Sequence, residues 1–361
     1  MPDFSNYQGS SDEWKAFVKA NPLPAPGLAL SPQALRAATN ALRVKISQAE
    51  LERDDLCSKV TWRDYSVLTR DQCNIIVRVY RPNHASTTAP LPVYLFFHGG
   101  GHLFGTIETE DAGCARVADR AGILVANVGY RHTPEFTHPT QVHDALDAFA
   151  WLGANIDAIG GDRTRVIVGG ISAGACLAAV VAQQSCATNM GITICGQLLC
   201  IPWLVHPDNN ANNTPASIPT SSYQQNTHAD ILPLGLMQLF SELLGASDYS
   251  DSTLNPGLAD DAAVAGLPKT CFLVAGQDLL RDEGLSYAQK LAHNGIPVKV
   301  HVFPGMPHGF RRYSDLRASW RWDELLVEGC RWFLSSDKTS SGDIVVEMRE
   351  DTQTRPSFSL A

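Results

Sequence analysis

The feature that most constrains this 361-residue chain is an alternation of short runs, apolar at nearly every position, with stretches of helical spacing. The runs are VYLFFHGG from Val93, ILVANVGY from Ile123, RVIVGG from Arg165, QLLCIPWL from Gln197, TCFLVAG from Thr270 and VKVHVFPG from Val298. A strand without a polar face has to be covered on both sides. Helix-patterned segments at residues 141–152, 173–184, 284–293 and 319–334 can supply that cover. The expected architecture is α/β: a mostly parallel sheet flanked by helices, with ligands at the carboxyl ends of the strands.

Ahead of this alternation the period differs. VTWRDYSVL from Val60 and CNIIVRVYRP from Cys73 read as neighbouring strands, consistent with a hairpin. Residues 10–50 read as two helices. Ser10 with Glu13 forms a capping box for the first, and Ser31 followed by Pro32 caps the second. Leu35, Ala38, Leu42 and Ile46 recur at helical spacing and mark the face expected to pack on the core.

Composition narrows the partners. The net charge is -9 without a Lys/Arg cluster, which argues against nucleic acid. No apolar run approaches the roughly 18 residues a membrane span requires. The start, MPDFSNYQGSSDEW, lacks the basic-then-apolar pattern of a secretory signal, so a cytoplasmic location is expected. Nine cysteines are scattered singly and read as buried, reduced thiols. Asn212 heads an N-x-T sequon that, without an export signal, reads as a chance match.

Three segments follow from this reading: N-terminal helices over 1–55, a main domain over 56–335, and a Ser/Thr-rich, charged tail over 336–361 expected to be poorly ordered. An excursion at 205–265 begins polar and contains LPLGLMQLFSELLG. A long insert after a sheet strand is a candidate lid or specificity element.

The chemistry concentrates in VGGISAGAC, Val168 to Cys176, where a strand gives way to a helix. A nucleophile on such a turn needs strained backbone angles and close neighbouring chains, which Gly170 and Gly174 permit around Ser172. A serine hydroxyl needs a base and an acid to orient that base. Asp278 follows the TCFLVAG strand and His308 follows the last one, which gives the chain order Ser, Asp, His. Asp282 is the competing acid and reads instead as the N-cap of a helix starting near Gly284. HGGG, His98 to Gly101, offers unobstructed backbone N–H groups, so Gly99, Gly100 and Ala173 are the expected oxyanion donors. No GKS or GKT follows, which makes a P-loop unfit. His98 and His102 have i, i+4 spacing, but three glycines intervene and no metal site is expected. Cys176 reads as a packed residue.

Taken in order, HGGGHLFG, YRHTPE with HP after it, GISAGA, GQDLLRDEG and PGMPHGF resemble the hormone-sensitive lipase family of α/β-hydrolases, from about Trp62 to Leu334. The resemblance implies an eight-stranded hydrolase sheet and a helical cap formed partly by the N-terminus, and about 205–250 of the excursion reads as a cap insert after the sixth strand. It also implies no cofactor, and hydrolysis of acyl esters through an acyl-enzyme on Ser172. Ile171, Ala175 and Gly129 depart from the family, which usually has an acidic residue or threonine, a glycine and an aspartate there. His102 stands where a bulky apolar or aromatic residue is usual, and reads as a pocket wall or as a substrate-binding or accessory acid/base group. Leu103, Phe104, Trp203, Met237 and Phe240 are the further pocket candidates.

The expected activity is that of a serine carboxylesterase on a small or medium acyl ester, its partner a small molecule and a homodimer one admissible assembly. The rival reading is a non-hydrolytic lyase, cyclase or condensation catalyst acting on a specialised metabolite, motivated by the altered turn and His102.

Overall fold

The computed structural model describes residues 3–9, 11–23, 27, 29–85, 89–186, 191–208, 221–336 and 344–347. Asn212 and the tail on either side of 344–347 lie outside them. The strands are β1 (Val60–Leu68), β2 (Asn74–Pro82), β3 (Leu91–Phe97), β4 (Leu124–Gly129), β5 (Gly161–Ile171), β6 (Ile194–Cys200), β7 (Lys269–Gln277), β8 (Val298–Pro307) and β9 (Ile344–Val346). They form one sheet in the order β1-β2-β4-β3-β5-β6-β7-β8-β9. The β1–β2 hairpin and the β2–β4 pair are antiparallel. Every other pair is parallel.

The helices are α1 (Asp12–Ala20), α2 (Pro32–Arg53), α3 (Leu56–Lys59), α4 (Asp111–Ala121), α5 (Thr140–Asn155), α6 (Ala173–Cys186), α7 (Ser222–Gln225), α8 (Leu234–Leu244), α9 (Asp261–Val264), α10 (Arg281–His293) and α11 (Arg317–Leu334). β3 explains why both faces are covered. All seven of its residues are buried, with Val93, Leu95 and Phe97 in one core and Tyr94 and Phe96 in the other. The first core takes Val142, Ala145 and Phe149 from α5 and Leu285 from α10; the second takes Val117 from α4 and Trp322, Leu325 and Cys330 from α11. Each strand supplies alternate residues to opposite faces, so the apolar runs have no polar side.

Chain connection then fixes where a ligand can sit. From β3 the chain passes to β4 on one side, and from β4 through α5 to β5 on the other. The crossovers leave a crevice at the carboxyl ends of β3 and β5, the switch point where ligands bind in such sheets.

Several expectations are corrected. α1 starts one residue late, capped by Ser11, whose Oγ accepts the Trp14 N–H at 3.2 Å, whereas Ser10 lies outside the described residues. α4 was not anticipated, since DAGCARVADRA buries mostly small residues together with Asp111, Arg116 and Val117. The sheet has nine strands, because Ile344–Val346 of the tail pairs with β8. Glu347 anchors it by accepting from Arg321 Nε at 2.9 Å and lying 2.8 Å from His301 Nδ1.

The α2 stripe also points the wrong way: Leu35 is buried, but Ala38 is exposed and Leu42 is 55% exposed. The inward face is polar, Arg36, Asn40, Arg43, Ser47 and Glu50, at spacings of four and three. It packs on loop ends, where carbonyls and charged groups need partners, and not on the apolar sheet faces. Cys114, Cys176, Cys200, Cys271 and Cys330 are free and buried, while Cys57 is free but exposed. No described helix is long and apolar enough to cross a membrane.

Candidate active site

The turn from β5 into α6 carries Ser172 at φ 56°, a left-handed conformation that non-glycine residues rarely adopt. Backbone bonds hold it there. Ser172 N–H donates to Cys200 O at the end of β6 (2.8 Å), and Ser172 O accepts from Ala175 N (3.0 Å) and Trp203 N (3.2 Å). The flanking glycines are required by close approach. A Cβ on Gly174 would lie 2.1 Å from Phe97 O and 2.4 Å from His98 O, and one on Gly170 would lie 2.4 Å from Gly174. The turn is thereby pressed against the end of β3. α6 starts at Ala173, so its unpaired N–H groups and positive end converge beside the serine.

Two later strand ends supply the rest. His308 follows β8 directly, and its Nε2 is 3.1 Å from Ser172 Oγ. His308 Nδ1 is 2.8 Å from Asp278 Oδ2, while Asp278 Oδ1 accepts the Leu280 N–H at 3.0 Å. All three side chains are buried, Asp278 to 1% exposure. Asp282 does not compete, and neither does it cap. α10 begins at Arg281, and Asp282 in its first turn accepts from Ser222 N (2.7 Å) and Arg281 Nε (2.8 Å), away from the imidazole.

The loop after β3, HGGGHLFG, runs in positive-φ conformations at Gly100 (138°), Gly101 (62°), His102 (57°) and Gly105 (110°). Its carbonyls are gripped both from outside and from within the loop. Tyr130 Oη donates to His98 O (2.8 Å), Arg43 Nη1 to Gly99 O (3.2 Å), and Leu103 and Phe104 N–H to Gly100 O (3.0 and 2.8 Å). Asn40 brackets Gly105, accepting its N–H at 2.8 Å and donating to its carbonyl at 3.4 Å. Among the described residues, the N–H groups of Gly99, Gly100 and Ala173 donate to no protein acceptor.

Around the serine lies a third apolar cluster that joins Ala173 with Leu35, Leu103, Phe104, Trp203, Met237 and Phe240. The structure therefore brings together the expected wall residues from the loop, from the segment after β6 and from α8. Phe104 meets Phe240 edge-on at 5.3 Å between ring centroids. His102 joins the wall with its ring 5.6 Å from Trp203. Burial, reinforced by His132 and His138, pushes its imidazole down to about 3, and its buried Nδ1 has no hydrogen-bond partner among the described residues. At neutral pH this is an uncharged ring. Among the described residues no group of three His, Cys, Asp or Glu side chains is placed to hold a metal ion.

Four residues have supporting roles that the sequence did not reveal, although Tyr130 and Glu283 lie in the quoted motifs YRHTPE and GQDLLRDEG. Arg43, Asn40 and Tyr130 hold the glycine loop. Glu283 Oε1 accepts the N–H groups of Leu204 (2.5 Å) and Val205 (3.2 Å), which sets the segment carrying Trp203. Burial pushes the Glu283 carboxyl well up. A signal for it exists: Glu283 sits in a helical stripe with Leu279, Leu280 and Tyr287, where an acidic residue has to be inward.

The α/β-hydrolase fold family matches residues 94–312. Esterase LipI of Mycobacterium tuberculosis is 35% identical over 242 residues, covering 66% of this chain and 72% of that protein. Ethyl acetate hydrolase of Pseudomonas putida is 31% identical over 255 residues, covering 70% and 76%. Among solved structures, a bacterial heroin esterase superposes with a TM-score of 0.77 at 28% identity, covering 92% of this chain and 100% of that one. Vibralactone cyclase superposes at 0.82, covering 92% of this chain and 97% of that one, but at 24% identity it bears on the fold alone. Sequence and architecture agree, and the chain belongs to the hormone-sensitive lipase-like family of α/β-hydrolases.

Proposed function

We propose that this protein is a serine carboxylesterase that hydrolyses small or medium acyl esters. One observation carries the reading: the unbroken hydrogen-bonded series Ser172 Oγ, His308 Nε2, His308 Nδ1, Asp278 Oδ2 beside three backbone N–H groups without an acceptor among the described residues. Ser172 Oγ attacks the ester carbonyl carbon as its proton passes to His308 Nε2. The carbonyl oxygen becomes an oxyanion, met by the N–H groups of Gly99, Gly100 and Ala173. The intermediate collapses, the bond to the alcohol oxygen breaks, and His308 returns the proton to the departing alcohol. A water then attacks the acyl-enzyme, giving its proton to His308, and the acid leaves as Ser172 is reprotonated. Asp278 keeps the imidazole in the tautomer with hydrogen on Nδ1 and offsets the charge it gains.

The apolar cluster of Leu103, Phe104, Trp203, Met237 and Phe240 suits a compact acyl chain. That size agrees with the substrate named for the ethyl acetate hydrolase relative. The N-terminal helices and the insert after β6 act as the cap in this reading. Cys176 is no rival nucleophile, because burial pushes its thiol up to about 12. The test is acid quenching during turnover of p-nitrophenyl butyrate, followed by peptide mapping. A butyryl group on the peptide containing Ser172 is expected, whereas turnover with the acyl group elsewhere, or no turnover of any ester, would overturn the reading.

A further inference from the structure

The glycine loop contains the groups least able to hold themselves in place. Three consecutive glycines have the largest backbone freedom in the chain, yet an oxyanion site works only when its donors are oriented before the charge develops. Their orientation must come from elsewhere. In a trans peptide the carbonyl of one residue and the N–H of the next point in opposite directions. Gly99–Gly100 is trans, since the described cis bonds are Thr133–Pro134 and His138–Pro139. Whatever grips Gly99 O therefore aims Gly100 N–H.

The grip comes from α2, more than fifty residues earlier in the chain. Arg43 Nη1 donates to Gly99 O at 3.2 Å, beside His98 Nδ1, which lies 3.2 Å from the same oxygen, and the guanidinium is fixed by Glu110 Oε1, 3.0 Å from Nη2. Asn40, one turn before it, brackets Gly105 at the far end of the loop. The register is maintained along the helix. Arg36 binds Glu135 through both Nη atoms (2.6 and 2.7 Å), and Glu50 receives Arg116 (2.7 Å) and Arg311 (3.0 and 2.9 Å). An arginine at the centre of a helix so clamped at both ends has little freedom to move.

We propose that Arg43 is a positioning residue for the oxyanion hole, so that the N-terminal helix, together with His98 at the end of β3, sets the direction of the Gly100 N–H. The proposal rests on the esterase reading for its kinetic consequence but not for its structural one, and the experiment reads both. Hydrogen–deuterium exchange of the full chain is compared for wild type, Arg43→Ala, Arg43→Lys and Glu110→Gln, alongside kcat and KM for p-nitrophenyl acetate. In Arg43→Ala the loop peptide over 98–105 should exchange at least about tenfold faster, while the turn peptide over 168–176 is unchanged. Full loss of one oxyanion donor costs about 10²- to 10³-fold in kcat, so a loosened donor should cost about 10- to 100-fold with KM within about threefold. Arg43→Lys should recover part of the loss, and Glu110→Gln, which weakens the hold on the guanidinium, should show a smaller loss of the same kind than Arg43→Ala. Unchanged exchange in the loop overturns the proposal whatever the kinetics. So does equal acceleration in both peptides, which would mean general destabilisation. Loop exchange that responds as stated in a protein without ester turnover would leave the positioning role intact and defeat the esterase reading alone.

Discussion

The serine turn and the glycine loop lie side by side at the switch point, but they are held by opposite means. The turn is fixed by its own neighbours: Ser172 bonds backbone to backbone with Cys200, Ala175 and Trp203, and Gly170 and Gly174 leave no room for a side chain. The loop is fixed largely from afar, by Arg43 and Asn40 of α2 and by Tyr130. A nucleophile needs a strained conformation that persists, which dense local packing provides. A set of N–H donors built on glycines needs orientation, which borrowed side chains provide. The proposed nucleophile and the proposed oxyanion site thus depend on different parts of the chain, and substitutions can separate them.

The largest expected effect tests the borrowed support. Glu50 is buried between Arg116 and Arg311. Burial alone would raise its carboxyl, but Arg311 and then Arg116 hold it at about 2. Glu50→Ala leaves two arginines without this partner and should cost about 3 to 5 kcal/mol in urea unfolding. Because the folded carboxyl titrates lower than the free group, its contribution is complete above the ordinary value of 4.5 and is lost as pH falls towards 2. A loss below about 1 kcal/mol, on the order of an exposed pair, would show that α2 is not anchored there.

The second test concerns the self-held turn. Gly174→Ala places a methyl 2.1 Å from Phe97 O, a backbone atom, so the turn or β3 has to move. We expect about 1 to 3 kcal/mol of destabilisation and about a hundredfold loss in kcat/KM. Gly113, in α4, has nothing within 4 Å of the position a methyl would take, and Gly113→Ala should instead stabilise by about 0.5 to 1 kcal/mol. Equal tolerance at the two sites would remove close packing as the reason for the glycines of the turn.

The smallest effect concerns His102 in the loop. Its imidazole is held at about 3 when folded against an ordinary 6.5, so the unfolded chain binds its proton first. Its contribution to stability is therefore full above pH 6.5 and declines as pH falls towards 3. Replacing it by phenylalanine removes that decline. Between pH 6.5 and pH 5.5 the wild type should lose about 1 kcal/mol more than His102→Phe, read by urea unfolding at both pH values. Identical losses would mean that His102 is solvated.

How much of this was legible follows from the same division. Ser172, Asp278 and His308 could be read because each sits at the end of an apolar run, and a parallel sheet brings such ends to one edge. Gly99 and Gly100, the proposed donors, could be located for the same reason. What orients them could not, because α2 turns a polar stripe inward while its apolar stripe, with Leu42, faces out. Hydrophobic periodicity identifies the buried face only where the surface beneath is apolar. The strand at Ile344–Val346 was hidden similarly: its composition is that of a tail, and it is held by Glu347 against His301 and Arg321. Asp282 was misread as a cap because α10 begins three residues earlier than its apolar pattern suggests.

The most direct test of the account is the steady-state turnover of p-nitrophenyl acetate by wild type and Ser172→Ala prepared side by side. Loss of the hydroxyl should remove turnover down to about 10⁻³ of wild type or below, with unfolding in urea unchanged within about 1 kcal/mol. A folded Ser172→Ala protein that hydrolyses the ester at the wild-type rate would contradict it.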